Sequence, residues 1–257
     1  MSTAIRDPRR ASAIALLCIL GCSQPATEPR GAAAEALARA AQAGAPATGP
    51  SPVEEALVRG RQAEAEGRWD AAQAAYSEAA LRDPSSIDAA VSQARVLHVL
   101  GEPAQATLTL HSAIERRPDS VELLAAAGDS VLAMKRPSMA CEYYQMALTL
   151  RPDDPALRAA YAWALHLEGR HEAVLETLRS VDPGRLPEHV RLALGRSALV
   201  CGQHDLATVN LEAWVRVEPD DVAARLDLAR ARYLARQDGL VLQSLEAVIA
   251  RQPRSAE

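Results

Sequence analysis

From residue 53 onward the chain repeats itself about every 34 residues, and this period limits the fold more than any other feature. Pro84, Pro118, Pro152, Pro219 and Pro253 mark it: three of their intervals are 34 residues, and the fourth, 67, is one unit of 34 and one of 33. A unit this short cannot bury an apolar face alone, so neighbours must stack into one continuous core. Taking Val53, Ile87, Val121, Pro155, Glu188 and Val222 as first residues gives six units. Position 8 is then always Gly or Ala: Gly60, Ala94, Gly128, Ala162, Gly195 and Ala229. Position 20 is Ala72, Ala106, Ala140, Val174, Ala207 and Val241, and position 24 is Tyr76, Leu110, Tyr144, Leu178, Leu211 and Leu245. The turn at position 15 is Gly67, Gly101, Lys135, Gly169, Gly202 and Arg236. Apolar residues make up 49% of the chain, mostly Ala, Leu and Val, with no Phe. Small side chains of this kind suit closely packed helices, and no alternating apolar run suggests a strand.

This pattern resembles the tetratricopeptide repeat, a 34-residue helix–turn–helix. The stretch from Glu66 through Trp69, Ala72 and Tyr76 to Pro84 fits it almost residue for residue, and the resemblance covers Val53 to Pro253. It implies an all-α fold, a right-handed α-solenoid of about six repeats near 53–86, 87–120, 121–154, 155–187, 188–221 and 222–255. Small residues at positions 8 and 20 let the two helices of a unit approach, and Pro at position 32 ends the second helix. Capping of the next helix falls to Ser86, Asp119 or Ser120, Asp154 and Asp220 or Asp221. The second helix of unit three, 138–150, is apolar over roughly 220° and should be buried on two sides. The first helix carries Glu55, Arg59, Arg61, Gln62 and Glu66 opposite Val53 and Leu57. The last, 240–251, gathers its apolar residues in roughly 120°, leaving Gln243, Ser244, Glu246 and Arg251 outside. Both ends are therefore expected to present a polar outer side, as terminal caps need, and the stack reads as complete. After Val181, Asp-Pro-Gly-Arg-Leu-Pro187 shortens unit four, and the superhelix is expected to bend or loosen there.

Residues 1–21 read as a signal peptide, with Arg6, Arg9 and Arg10 before an apolar run from Ala11 to Leu20. Ile19-Leu20-Gly21-Cys22 resembles the lipobox of bacterial lipoproteins. The resemblance implies diacylglycerol on Cys22, cleavage before it and acylation of the new amine. Several acyl chains anchor stably where one does not. Residues 22–52, rich in Ala, Pro and Gly, read as a tether, leaving 53–257 as the solenoid. Ser23 after the Cys implies, in a Gram-negative host, the periplasmic face of the outer membrane. The net charge of −5 becomes more acidic once three Arg and one Asp leave with the signal peptide, which gives no electrostatic case for nucleic acid. Cys141 and Cys201 lie in different repeats and are expected to be free, partly buried thiols.

Catalytic and cofactor signatures are missing from the sequence. There is no Gly-rich phosphate loop, and Lys135 is the sole Lys. His166-Leu-Glu-Gly-Arg-His171 departs from His-Glu-x-x-His, and His98 and His166, both at position 12, are too far apart to share a metal. Gly195-Arg-Ser-Ala-Leu lacks the second Gly of a nucleophile elbow. The expectation is a binding protein without cofactor or metal. In tetratricopeptide repeats, first-helix positions 2, 5, 9, 12 and 13 line the concave groove. Position 9 here is Arg61, Arg95, Asp129, Trp163, Arg196 and Arg230, a broken cationic ladder, and position 5 is mostly apolar. Such a groove suits a protein segment carrying acidic and apolar residues. Alternatively, these Arg are solvated or pair with Glu54, Asp88 and Glu122 at position 2 of the same helices. The Lys/Asn carboxylate clamp of chaperone-binding members is absent. Ala125 and Ala159 leave room in mid-groove, where Trp163 should wall a pocket with Asp129 and His166 nearby, or else pack between units four and five.

Two functions remain open. Lipid-anchored members with about six repeats resemble, in architecture, the type IV pilus pilotin and the tight-adherence pilus assembly lipoprotein, which implies an assembly scaffold. The other is an adaptor recruiting or regulating cell-wall or envelope enzymes.

Overall fold

The computed structural model describes residues 50–251, and every regular element in that range is helical. Twelve α-helices follow one another: α1 (Pro52–Ala65), α2 (Trp69–Arg82), α3 (Ile87–Val99), α4 (Pro103–Arg116), α5 (Val121–Ala133), α6 (Pro137–Leu150), α7 (Pro155–Leu167), α8 (His171–Leu178), α9 (Glu188–Val200), α10 (His204–Val217), α11 (Val222–Leu234) and α12 (Asp238–Arg251). Odd-numbered helices are the first (A) helices of the six units and even-numbered ones the second (B). Each helix packs on the next along the chain, α8 on α9 included, which is the connectivity of an α-solenoid. The expected lipidation site Cys22, the expected signal peptide and most of the expected tether lie outside the described residues.

Each repeat begins and ends by the same local chemistry. Ser51, Ser86, Ser120, Asp154 and Asp221 accept backbone N–H groups of the first turn of α1, α3, α5, α7 and α11. Ser51 and Glu54 form a full capping box. Each A helix stops where position 15 enters the left-handed region. The φ values are +70, +80, +74 and +76° at Gly67, Gly101, Gly169 and Gly202, and +58 and +62° at Lys135 and Arg236. The following N–H then reaches back five residues, as in Arg68 to Ala63, Arg136 to Val131 and Gln237 to Arg232. This is the Schellman stop that lets B turn back on A.

The core is a row of layers between A and B helices. Position 8 meets position 24 of the same unit. An ideal Cβ on Gly128 would stand 2.6 Å from Cε1 of Tyr144, and Gly60 is closed in the same way by Tyr76. Units two, four and six hold Ala with the smaller Leu at these two places. Tyr76, Tyr144, Leu110 and Leu211 are fully buried. α6 packs on both α5 and α7, yet Met139, Met146 and Leu150 face solvent, so its apolar arc is only partly covered.

The last helix departs from the expectation of a polar outer side. Ser244 is buried, and Leu240, Leu242, Leu245 and Ile249 are exposed, Leu242 by 65%. The buried Arg232 guanidinium of α11 donates to Ser244 Oγ at 2.6 Å and also pairs with Glu212, which holds Ser244 inward, while Gln243 and Glu246 stay exposed as expected. In unit four, α8 has eight residues where the other B helices have fourteen. A 3-10 turn at Pro183–Arg185 follows, and Leu186 folds back into the core.

Candidate functional site

The A helices carry the position-9 residues along one surface, and the stacking decides which of them keep a free charge. Arg95 makes a bidentate pair with Glu64 of the preceding unit, with Nη2 at 3.0 and 2.8 Å from the two carboxylate oxygens. Arg196 Nε lies 2.8 Å from Asp227 Oδ2 of the following unit. The expected pairing with position 2 of the same helix does not occur. Seven residues separate the two positions, roughly 10 Å of helix rise, whereas the neighbouring repeat is in side-chain reach. Glu54 instead caps α1, and Glu122 pairs with Arg151. Arg61 and Arg230 are exposed and form no ion pair among the described residues.

Neighbouring A helices touch closely at α3–α5 and α7–α9, only lightly at α1–α3 and α9–α11, and least at α5–α7. A cavity of about 390 Å³ opens there. Pro155, Ala156, Ala159 and Ala160 of α7 line it, with Trp163 as an aromatic wall and Asp129 and Tyr144 on the side of unit three. Arg185, Pro187 and His189 enter from the turn and the start of α9. Of the mid-groove residues singled out in the sequence, Asp129, Ala159 and Trp163 therefore share one cavity. Ala125 is outside it, half-buried against the Val121–Leu124 layer. His166 supports it from behind: its ring stacks on Trp163 with centroids 5.8 Å apart. His189 meets the same indole edge-on at 5.0 Å. Arg185, Pro187 and His189 escaped the sequence reading because they come from the irregular junction, which signalled a bend and gave no hint of a wall.

Two histidines at position 12 tie consecutive units. His98 Nε2 lies 2.7 Å from Ser130 Oγ, and His166 Nδ1 lies 3.1 Å from Ser197 Oγ, which His171 Nδ1 also approaches at 3.1 Å. Both serines are buried. Burial lowers the pKa of His98, and burial with the nearby His171 and Arg196 charges lowers that of His166. These rings are neutral structural links. Among the described residues no group of His, Cys, Asp or Glu is arranged to hold a metal. Asp129 Oδ1 accepts a 2.5 Å hydrogen bond from the buried Tyr144 hydroxyl. The protein packed around its carboxyl pushes its pKa up, against the opposing pull of Tyr144 and His98.

Among the described residues the geometry supplies a grooved helical surface with an aromatic-walled pocket between α5 and α7. Comparison with known proteins agrees with the fold. The tetratricopeptide repeat family matches residues 55–181. No curated protein sequence matches the chain. Among solved structures, PilW, described as a widely conserved type IV pilus biogenesis factor, superposes with a TM-score of 0.61 at 18% identity, over 81% of this chain and 97% of that one. Pseudomonas aeruginosa pilF gives 0.59 at 16% identity, over 79% and 93%. A tetratricopeptide repeat protein from Parabacteroides merdae ATCC 43184 gives 0.60 at 12% identity, over 79% and 80%. Residues 55–181 thus match the tetratricopeptide repeat, and the twelve helices carry the same paired packing through about six units, a solenoid fold that implies a protein or peptide partner.

Proposed function

We propose that this protein is a lipid-anchored scaffold of the bacterial envelope that seats a segment of a partner protein in its A-helix groove and assists assembly of pilus or secretion machinery. One observation carries the binding part. The stack opens between α5 and α7 into a 390 Å³ cavity walled by Trp163, and a rigid concave aromatic pocket is where binding energy concentrates. The lipid anchor rests on Ile19-Leu20-Gly21-Cys22 behind a basic and apolar leader. The pilus assignment is supported by likeness of fold to PilW and pilF, and by the resemblance of lipidated six-repeat proteins to pilotins. The decisive experiment places a photocrosslinking amino acid at Ala156, on the cavity wall, and at Asp70, on the exposed start of α2, in cells. Crosslinks from Ala156 to a pilus or secretion component, with none from Asp70, are expected. Crosslinks to cell-wall enzymes would shift the function to an envelope adaptor. Equal labelling from both sites would remove the groove.

A further inference from the structure

The charged groups along the groove are not equally available. Arg95 and Arg196 are already neutralised by Glu64 and Asp227. Asp129, between them in the stack, has no cation partner among the described residues. Its Oδ1 is held by Tyr144, whose ring is locked beneath Gly128, so the carboxylate is fixed in place with Oδ2 uncommitted. Beside it are a floor of Ala156, Ala159 and Ala160 and the Trp163 indole.

We infer that this central cavity receives a cationic side chain, an arginine, of the bound segment, with its aliphatic stem on the alanine floor and its guanidinium between Trp163 and Asp129. The inference rests on the groove reading above and reverses the acidic partner that the position-9 ladder suggested. A long cationic side chain satisfies each surface at once. Its methylenes cover apolar area, an indole attracts the cation, and the carboxylate accepts charge-assisted hydrogen bonds. An acidic side chain would instead bring like charge to Asp129. A plain apolar one would cover Oδ2 without pairing it, which is costly in a concave site. Arg185 also lines the cavity with the ligand's own sign; like Asp129 it is an exposed residue, and the two form no ion pair. Burial raises the Asp129 pKa against the opposing pull of Tyr144 and His98, and a bound cation would bring it back down.

The test uses the full chain in detergent and three capped pentapeptides, alanine throughout except for a central Arg, Leu or Glu. Indole N–H resonances report binding, and that of Trp163 is assigned from the Trp163→Phe spectrum. The Arg peptide is expected to shift the Trp163 signal saturably and to lower the Asp129 pKa. Asp129→Asn should weaken it by about tenfold or more, with an unchanged melting midpoint, because the new amide oxygen still accepts from Tyr144. A Leu or Glu peptide that binds as tightly as the Arg peptide, or an Asp129→Asn effect under about twofold, overturns the inference. If no peptide moves Trp163 while the Ala156 crosslink still captures its partner, the cation site fails and the groove stands. If both fail, the groove reading falls with it.

Discussion

The Tyr144 ring occupies the space that a side chain on Gly128 would fill: an ideal Cβ there would stand 2.6 Å from Cε1 and 2.7 Å from Cζ. The glycine is what allows a tyrosine to lie across the A–B interface, and the tyrosine in turn reaches Asp129 one residue along α5. A packing contact and a groove carboxylate are thus set by the same pair.

Gly128→Ala should therefore destabilise the protein by about 1–3 kcal/mol, since a fully buried tyrosine ring cannot move aside without cost. Adding Tyr144→Leu should recover part of the loss, because Ala with Leu is the combination at Ala94 and Leu110. Denaturant midpoints of the two single variants and the double variant give the coupling. Additive losses would show that the two residues are not in contact.

Lys135 and Arg236 stand in the left-handed region at φ +58 and +62°, where four of the six repeats use glycine. Lys135→Gly should stabilise by about 0.5–1 kcal/mol, the relief of side-chain strain exceeding the extra chain entropy of glycine. The reverse change, Gly101→Lys, should cost a similar amount. Thermal melts of both variants check the sign.

Stability should fall with pH across the histidine range. The His98 and His166 pKa values are lowered in the folded state. Below the ordinary value near 6.5 the unfolded chain takes up protons that the folded chain refuses, so stability is full above that pH and declines below it. Asp129, whose pKa is raised, acts in the opposite sense at lower pH, in the carboxylate range. Urea titrations at pH 7.5 and 5.5 should show the decline, and His98→Gln should reduce it. A pH-independent midpoint across that range would falsify the buried His98–Ser130 link.

Cys141 should resist thiol reagents until the fold opens. It is buried, and burial together with the neighbouring Glu168 carboxylate pushes its thiol pKa up to about 12. Cys201 is partly exposed and should label first in the native protein. Time-resolved mass spectrometry of alkylated peptides distinguishes the two sites.

Trp163→Ala should cost less than the 3–5 kcal/mol or so of a fully buried aromatic, because the indole is only half-buried and keeps one side on the cavity. Its larger effect should fall on partner capture. A loss of the full core value would mean that Trp163 is simply core.

The period of small, aromatic and proline residues was enough to specify an all-helical solenoid, because the A–B contact demands small groups at position 8 and each turn demands its own backbone conformation at position 15. Those demands are local to one repeat and are written into its residues. The caps at Ser86 and Asp154 were readable for the same reason, while the structure decided for Ser120 over Asp119 and for Asp221 over Asp220. What lies between repeats was not. The partners of Arg95 and Arg196 sit thirty-one residues away in sequence, and only stacking brings them within reach. The inward turn of Ser244 depends on Arg232 from another helix, which a helical wheel of α12 alone cannot contain. The cavity beside Trp163 exists because α5 and α7 barely touch and an irregular turn delivers Arg185 and His189 to its rim. Sequence determined the repeat, since each unit's dihedral and packing needs are satisfied within about 34 residues. Tertiary structure decided which charges remain free and where the groove opens, since both depend on distances between units that no single repeat encodes.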